Sequence, residues 1–346
     1  MKNTKKDIRV LSRQEIQDFF LLHSIPSFKG TQVYQWLWKK GVHDFDLMTN
    51  LSLEHRILLK TYFEINHINI DFQQRSTDGT IKNAVKLHDQ FIVESVLIPT
   101  SKRTTACVSS QVGCSLDCIF CATAALKRMR NLNADEIYDQ VVAMDKQSKL
   151  YFQRPLSNIV FMGMGEPLLN YKNVLLAIDK ITDADGLAIS PRRITVSTSG
   201  IPKMINKMAD DKVKFELAVS LHSARQEVRE KIMPFANRFP LNDLSKALIN
   251  WYQYTKKQIT FEYVIWEGIN DKKEDIQALI KFCRQIPSKV NLIQYNPIDN
   301  SSMKEAPKEI IESYLKALTQ SRIKVTYRSS RGEDIAAACG QLANKL

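Results

Sequence analysis

Apolar and polar positions repeat with two different periods along this chain, and the change of period divides it into two regions. Up to about residue 95 the pattern favours short amphipathic helices, because apolar residues recur at helical spacing through residues 31–40 and 51–63. Ser12 followed by Glu15 is a capping-box signature for a further helix at the start. The pattern then alternates at period two, which predicts strands over residues 84–87 and 91–96.

From about residue 104 strands and helices alternate regularly. This alternation predicts βαβ units with a parallel sheet and right-handed crossovers. A full or partial (β/α) barrel is one way to close such a sheet, and an open doubly wound sheet is the alternative. The candidate strands span residues 104–109, 158–162, 193–197, 215–221, 259–265, 290–295 and 323–327. The candidate helices span residues 135–149, 171–182, 241–254, 272–285 and 307–319.

Length and composition indicate a globular protein with one large and one smaller domain. The 346 residues exceed what a single core usually fills, and 44% hydrophobic with 25% charged residues is ordinary for such proteins. No apolar run reaches the length of a signal peptide core or a membrane span, so we expect a cytoplasmic protein without membrane association. In that compartment the six cysteines suit metal binding or catalysis better than disulfides.

The chain is strongly basic, with a formal net charge of +12. This excess favours a polyanionic partner such as a nucleic acid. A solvated basic surface without any partner is the alternative, since net charge determines non-specific attraction and not fold. Local basic clusters occur at Lys102-Arg103, Lys127 to Arg130 and Arg192-Arg193.

Three closely spaced cysteines follow the first strand of the alternating region. Cys114, Cys118 and Cys121 have the spacing C-x3-C-x2-C, and three thiolates without a fourth suit an iron-sulfur cluster with one iron open to a further ligand. The loop after a barrel strand is also where a functional site is expected. A structural zinc site is the alternative, but zinc sites usually pair two ligand couples, and no histidine lies near these cysteines in the sequence.

Polar residues follow four of the candidate strands where those strands end. The carboxyl ends of parallel barrel strands lie on one rim, so we expect these residues to surround one site above the cysteine loop. Taken singly, each also suits a turn, a helix cap or a hydrogen-bonded buried position. The segments are Gly163 to Pro167, Ser197 to Gly200, Ser220 to His222 and Tyr295 to Pro297.

The remaining cysteines lie in three different settings. Cys283 falls on the apolar face of a candidate helix, which is typical of a small buried hydrophobic residue. Cys107, in the strand before the cysteine loop, suits the same interpretation. Cys339 precedes Gly340 near the end of the chain and follows charged residues, which favours an accessible and reactive thiol.

Together these motifs resemble the radical S-adenosylmethionine (SAM) superfamily and, more closely, the RlmN/Cfr family of RNA adenine methyltransferases. The resemblance extends from about Phe28 to Leu342. Its most specific parts are Cys107 to Cys114, Gly163 to Pro167, Ser220 to His222 and Ala338 to Gln341.

The fold implied by this resemblance is α/β, a partial (β/α)6 TIM-like barrel with a small helical N-terminal accessory domain. The corresponding divisions are an RNA-binding accessory domain over residues 1–95, the barrel over 96–332, and a C-terminal segment over 333–346.

The resemblance further implies a [4Fe-4S] cluster on Cys114, Cys118 and Cys121. SAM would chelate the open iron of this cluster through its amino and carboxyl groups, and two SAM molecules would be used in each turnover. The residues that the resemblance assigns to the SAM pocket are Gly165, Glu166, Ser197, Ser220, Leu221, His222 and Asn296.

The resemblance also assigns three catalytic residues. The first SAM would methylate Cys339, and the second would be cleaved to a 5′-deoxyadenosyl radical that takes a hydrogen from this methyl group. The resulting carbon radical can add to adenine C2, which is not nucleophilic enough to attack a sulfonium methyl. Glu94 would take the ring proton, and Cys107 would release the product through a transient disulfide with Cys339. From the residues alone, Glu94 suits a charge on an edge strand equally well.

The partners implied by the resemblance are 23S rRNA, at an adenosine of the peptidyl-transferase region, and tRNA, at the adenosine 3′ of the anticodon. The basic clusters and N-terminal helices would hold RNA while an unstacked adenine enters the barrel. A flavodoxin-type protein would donate electrons, and the enzyme would act as a monomer.

Two branches of the family differ in the carbon that they methylate. Val112 and Pro167 resemble the C2 branch, whereas Gln294 and Ser329-Ser330 depart from the usual pattern, and a C8 methyltransferase is the alternative. A radical SAM activase or maturase is a second alternative that would not need Cys339. A third is an RNA-binding protein whose cluster is structural.

Overall fold

The computed structural model describes residues 5–299 and 301–344, and its N-terminal part is a small helical layer. Strands β1 (Lys6–Asp7) and β2 (Phe63–Glu64) pair in parallel and bring the two ends of this layer together. Between them lie helices α1 (Arg13–Leu22), α2 (Phe28–Trp38) and α3 (Leu53–Tyr62).

The start of α1 has the predicted capping box. The Ser12 hydroxyl accepts a hydrogen bond from the backbone N–H of Glu15 at 3.2 Å, and the Glu15 carboxylate accepts one from the N–H of Ser12 at 2.6 Å. These bonds satisfy two amide donors that the first turn of a helix leaves without intrahelical acceptors. Helix α2 begins at Phe28, three residues before the sequence pattern indicated. The apolar period therefore predicted the start of this helix about one turn too late.

Three antiparallel strands connect the helical layer to the barrel. They are β3 (Asn69–Arg75), β4 (Ile81–Lys86) and β5 (Ile92–Pro99). The sequence pattern missed β3, because its apolar alternation is limited to Ile70 and Phe72 and none of its side chains is buried. Residue 95, the expected end of the accessory domain, lies inside β5, and β5 pairs directly with the first barrel strand.

A short two-stranded ribbon of β7 (Gln111–Val112) and β8 (Arg130–Asn131) brackets the cysteine loop. The other strands are parallel, and they are neighbours in the sheet in the order in which they occur in the sequence. The seven parallel strands are β6 (Thr104–Cys107), β9 (Asn158–Phe161), β10 (Ile194–Thr198), β11 (Glu216–Ser220), β12 (Ile259–Val264), β13 (Ser288–Ile293) and β14 (Lys324–Arg328). The helices of this region are α4 (Ala134–Phe152), α5 (Tyr171–Thr182), α6 (Pro202–Asp210), α7 (Gln226–Ile232), α8 (Leu241–Thr255), α9 (Lys273–Arg284) and α10 (Lys308–Gln320).

The strand order decides between the two expected closures of the sheet. The order β14-β13-β12-β11-β10-β9-β6-β5-β4-β3 never reverses across the parallel strands, whereas a doubly wound sheet has a point where the order switches direction. One cavity is lined by residues from β6, β9, β10, β12, β13 and β14 together, so the sheet curves around an interior. The predicted partial (β/α)6 barrel is therefore confirmed, with β14 as an additional parallel strand.

Helices α6 and α7 did not appear among the sequence-based candidates. Helix α6 has only nine residues and α7 only seven, so they offer only about two and a half and two turns of apolar period. Most of the core is nevertheless one continuous cluster, which includes Ile16 and Phe20 of the helical layer and Phe261 of the barrel. Among the described residues, no helix is both long and apolar enough to cross a membrane.

A buried arginine fixes the helical layer to the barrel. Arg9 contacts the carboxylate of Asp135 at 3.0 Å and that of Asp139 at 2.8 Å, both on α4, and also donates to the backbone carbonyl of Asn66. All three charged side chains are at most 5% exposed. Burial opposes the charge on Arg9, but the two aspartates outweigh it and raise the pKa of the guanidinium.

Candidate active site

A cavity of about 1070 Å³ lies at the carboxyl ends of the parallel strands. The structure brings most of the residues singled out from the sequence to its wall, as expected for strand ends that share one rim. Those that line it are Cys114, Cys118, Cys121, Gly165, Glu166, Ser197, Ser220, His222, Asn296 and Cys339.

The three cysteines of the loop after β7 lie together on the wall of this cavity. Three thiolates without a fourth suit an iron-sulfur cluster with one iron open to a further ligand, whereas a structural zinc site normally has four protein ligands. Within the described residues, the one group of metal-binding side chains whose ligand atoms all lie within 4.8 Å of one another is His88, Asp89 and Glu136, which contains none of these cysteines.

The surroundings of these thiols make their ionisation depend on a metal. Burial raises the pKa of Cys114 to about 11 and also raises that of Cys118. The backbone N–H of Leu116 already donates to the Cys114 sulfur at 3.4 Å, which favours a thiolate there. A bound iron centre would supply the positive charge that favours all three thiolates.

Gly165 and Glu166 follow β9 and form one wall of the cavity. Gly165 has φ +93°, and a Cβ at this position would lie 2.5 Å from the Cβ of Gln111, so glycine is required. Burial raises the pKa of Glu166. Two hydrogen bonds to its carboxylate, from the backbone N–H of Ser199 at 2.8 Å and that of Leu168 at 3.1 Å, act in the opposite direction and lower this pKa. The carboxylate is thereby held in one orientation.

Two buried oxygen atoms at the cavity have no hydrogen-bond donor within the described chain. They are Asn296 Oδ1 and Glu262 Oε2, both from residues that line the cavity. Buried polar atoms are normally satisfied, so these atoms fit a ligand that offers donors. The ammonium, amine and ribose hydroxyl groups of SAM are donors of this kind.

His222 and Leu221 follow β11 and point in different directions. Burial lowers the pKa of His222 to about 3, so its ring is neutral at physiological pH. Its Nδ1 accepts a hydrogen bond from the backbone N–H of Val264 at 3.2 Å, and its ring packs edge-on against Phe120 of the cysteine loop. The side chain of Leu221 is fully buried in the main core and does not line the cavity.

Cys339 lines the same cavity as the cysteine loop. Its side chain is exposed in the cavity, although the surrounding protein raises its pKa. The Asn296 side chain donates to the Cys339 carbonyl at 3.3 Å, and the backbone N–H of Ala122 donates to the Gly340 carbonyl at 2.7 Å. Gly340 has φ +85°, a conformation that favours glycine. The Cys339 backbone is thus anchored beside the end of the cysteine loop.

Cys107 shares a second cavity with Cys339. This cavity, of about 740 Å³, is also lined by Arg328 and Leu342. Both cysteines are free thiols in the structure. Burial raises the pKa of Cys107 to about 12, and the nearby Cys339 adds to this effect. Cys107 and Cys339 therefore line the same cavity as two thiols, and no disulfide joins them.

Glu94 lies behind the second cavity and does not line either space. Its carboxylate contacts the ammonium of Lys82 at 3.2 Å and accepts hydrogen bonds from the backbone N–H groups of Ala343 at 2.7 Å and Asn344 at 3.0 Å. Strand β5 runs between β4 and β6, and Glu94 is 1% exposed. The interpretation of Glu94 as an edge-strand charge is therefore wrong.

Two cavity residues did not emerge from the sequence. Glu262 of β12 and Arg328 at the end of β14 both line the main cavity, with 3.7 Å between a guanidinium nitrogen and a carboxylate oxygen. Burial raises the pKa of Glu262, and Arg328 opposes that shift. The available signal in the sequence was Glu262 itself, a charged residue within the otherwise apolar strand around Phe261. Because alternate residues of a barrel strand face the interior, such a charge indicates a polar interior site.

A singly wound parallel barrel that carries three cysteines with the spacing C-x3-C-x2-C after its first strand is typical of a radical SAM enzyme. Residues 108–283 match the model of the radical SAM superfamily, and residues 6–65 match the ribosomal RNA large subunit methyltransferase N-terminal domain. Within this superfamily the chain belongs to the RlmN family, as its relatives show. Membership implies a [4Fe-4S] cluster and SAM as cofactors.

The relatives align with the whole chain. A protein of Christiangramia forsetii named "probable dual-specificity RNA methyltransferase RlmN" is 64% identical over 100% of this chain and 98% of its own length. The "dual-specificity RNA methyltransferase RlmN" of Geotalea uraniireducens is 42% identical over 99% and 98%. The crystal structure of a radical SAM methyltransferase from Sphaerobacter thermophilus superposes with a TM-score of 0.92 at 34% identity, covering 98% of this chain and 100% of the other.

Proposed function

We propose that this protein methylates carbon C2 of adenine in RNA and that Cys339 carries the methyl group. The proposed substrates are the peptidyl-transferase adenosine of 23S rRNA and the tRNA adenosine 3′ of the anticodon. The observation that carries the proposal is that Cys339 lines the cavity of the cluster thiols and shares a second cavity with Cys107. Relatives named dual-specificity RNA methyltransferases support the choice of substrate class.

The cavity residues fit a cluster and SAM, of which two molecules would be used in each turnover. When bound, these groups supply the methyl group and the one-electron chemistry that activates it. Glu166 and Asn296 would accept hydrogen bonds from SAM, and Ser197 and Ser220 would orient it with their hydroxyl groups. Gly165 leaves room for close approach, neutral His222 supports the cysteine loop through Phe120, and Leu221 would contribute through its backbone.

The thiol of Cys339 would lose its proton and form a sulfur–carbon bond with the first methyl group. After the one-electron chemistry of these cofactors has removed one hydrogen atom from this methyl group, its carbon would bond to adenine C2 and join the RNA to the protein; the adduct would then return one electron to the enzyme's redox centre and lose the original C2 hydrogen as a proton. Glu94 would accept the original proton of C2, for which the residues Ala343 and Asn344 must first leave its carboxylate. The Cys107 thiolate would then attack the Cys339 sulfur, so that a disulfide forms and the carbon–sulfur bond breaks. The released product carbon would take up one proton from solvent to complete the methyl group, and an external thiol reductant would return both cysteines to thiols.

Exposed basic residues would hold the RNA by its phosphates. Lys127 and Arg128 lie on the segment after the cysteine loop, and both are exposed. Arg130 is engaged with Glu136 and Asp89, so it is not part of this proposed contact. Residues 1–95 would form the RNA-binding accessory region and 333–346 the methyl-carrier segment, of which 345–346 lie outside the described residues. The enzyme would act as a cytoplasmic monomer with a flavodoxin-type electron donor.

The test is isotope tracing with the reconstituted enzyme, RNA and SAM whose methyl group carries three deuterium atoms. Forming a carbon–carbon bond from the Cys339 methyl group requires the loss of one of its hydrogens. Nucleoside mass spectrometry should therefore find 2-methyladenosine with two deuterium atoms, and direct sulfonium transfer would retain three. Labelled 8-methyladenosine would instead assign the C8 reaction, and no labelled adenosine would refute RNA methylation.

A further inference from the structure

Arg229 is a fully buried arginine on α7, directly behind the cysteine loop. Its guanidinium Nε donates to the carbonyl of Leu221 at 3.2 Å, and Nη2 donates to the carbonyl of Ser199 at 2.6 Å. Nη1 is buried and has no acceptor within the described residues. The side chain therefore holds two strand ends of the cavity wall and still has one nitrogen free to donate.

The segment that follows Arg229 is hydrogen-bonded to the cysteine loop at two points. The backbone N–H of Ile119 donates to the carbonyl of Ile232 at 3.1 Å, and the backbone N–H of Phe235 donates to the Asp117 carboxylate at 2.9 Å. These bonds flank Cys118 on both sides. Helix α7 and the segment after it are thus hydrogen-bonded to the cysteine loop on both sides of Cys118, and the Arg229 guanidinium and the Cys118 thiol interact electrostatically.

The charge of Arg229 is not balanced by a carboxylate. Within the described part of the chain none lies within 4.0 Å of this guanidinium, and burial lowers its pKa to about 10, opposed only by the Cys118 thiol. Arg9, the other fully buried arginine discussed above, is bound by two aspartates and has a raised pKa. Two backbone carbonyls and the ring of Phe235, 5.8 Å from the guanidinium carbon, offset part of the cost of burying this charge. A buried cation without an anion is still unfavourable, and no carboxylate among the described residues supplies one.

A cluster on Cys114, Cys118 and Cys121 would be such a counter-charge. Three thiolates outweigh the positive charge of an oxidised [4Fe-4S] core, and an added electron makes the site more negative still. A fixed cation beside the cluster stabilises the reduced form more than the oxidised form, because Coulomb attraction grows with the charge and is weakly screened in a buried site. The reduction potential is therefore raised.

We propose that Arg229 is the resident counter-cation of the cluster and raises its reduction potential, so that a low-potential one-electron donor such as a flavodoxin or dithionite can reduce it. The proposal rests on the cluster site proposed above and is independent of the RNA reaction. Arg229 is a positioning residue in this sense, since it acts through the cluster and through the carbonyls of Ser199 and Leu221.

The test is a dye-mediated redox titration of the reconstituted protein, followed by the electron paramagnetic resonance signal of the reduced cluster, without RNA. In R229Q, which keeps an amide donor but loses the charge, the equilibrium constant for reduction should fall at least tenfold. For a one-electron couple this corresponds to a shift of about 59 mV to lower potential. R229K keeps the charge and should stay within threefold of the wild type.

R225Q, at the residue immediately before α7, is the matched control. Arg225 is one-third exposed and has its own carboxylate partners, Glu227 at 2.8 Å and Asp275 at 3.3 Å, so its loss should leave the potential unchanged. An R229Q protein with a full cluster and the wild-type potential would overturn the proposal. So would equal shifts in R229K and R229Q, or an equal shift in R225Q.

Iron and sulfide content separates this proposal from the cluster assignment itself. A wild-type protein that binds no four-iron cluster would refute the assignment, whereas a normal cluster with an unmoved potential refutes only the role of Arg229. If R229Q cannot hold a cluster, the crystal structure of the loaded wild-type enzyme decides. A guanidinium within about 6 Å of a cluster or Cys118 sulfur atom supports the proposal, and a longer distance overturns it.

Discussion

The carboxylate of Glu94 accepts a hydrogen bond of 2.7 Å from the backbone N–H of Ala343. This bond joins strand β5 to the segment that carries Cys339, 249 residues later in the chain. The Thr123 hydroxyl donates to the carbonyl of Leu342 at 2.6 Å and adds a second attachment beside the cysteine loop. The residue proposed to accept the substrate proton thus also anchors the segment that carries the methyl group.

Substitutions of Glu94 should separate these two roles. Glu94→Ala removes the acceptor for two backbone amides, and a hydrogen bond to a charged group contributes about 1.5–3 kcal/mol. We expect the C-terminal peptide to exchange its amide hydrogens about tenfold faster or more by mass spectrometry. Glu94→Gln retains a carbonyl acceptor and should keep most of this protection, yet lose roughly 100-fold in methylation because it accepts no proton. Normal methylation by Glu94→Gln would exclude the role in proton transfer.

Cys339 and Cys118 line one cavity but should differ in their importance for the cluster. Cys339→Ala should retain about four irons per chain and the same reduced-cluster spectrum while methyl transfer is lost, since three thiolates hold the cluster. Cys118→Ala should lose most of its iron. Iron and sulfide analysis after anaerobic reconstitution measures both. Iron loss in Cys339→Ala would instead make Cys339 a fourth ligand.

Cys107→Ala should trap the RNA on the protein. Without the thiol that attacks the Cys339 sulfur, the covalent adduct cannot resolve, and a denaturing gel should show an RNA–protein band that survives heating. Cys283→Ala is the matched control, because Cys283 is a buried thiol on α9, outside both cavities. Free turnover by Cys107→Ala would show that another group releases the product.

Arg9 should contribute much more to stability than Arg13 does. Arg9→Ala leaves Asp135 and Asp139 buried without their cation, which typically costs about 3–5 kcal/mol. The guanidinium of Arg13 is 38% exposed where it contacts Asp185, so Arg13→Ala should cost less than about 1 kcal/mol. Urea unfolding followed by circular dichroism gives both free energies. Equal costs would mean that the Arg9 contacts do not hold the helical layer on the barrel.

The sequence by itself determined the alternation of strands and helices, the parallel sheet and the spacing of Cys114, Cys118 and Cys121, whereas the strand order of the structure was needed to choose the barrel over an open sheet. These features depend on residues close together in the chain, whose periodicity follows the geometry of helices and strands. We could also expect the polar residues at the strand ends to lie close together, because the carboxyl ends of parallel strands meet on one rim. Short elements escaped this reasoning, because α7 and the exposed β3 have too few apolar repeats to stand out.

Only the tertiary structure decided which side chains share a space. The pattern Ser220-Leu221-His222 gives no sign that Leu221 enters the core while its two neighbours line the cavity. The sequence likewise does not reveal that Glu94 contacts Ala343, or that Arg229 is buried without a carboxylate. Such contacts join residues far apart in the chain, and they depend on how the completed layers pack, since burial and charge balance are properties of the folded whole.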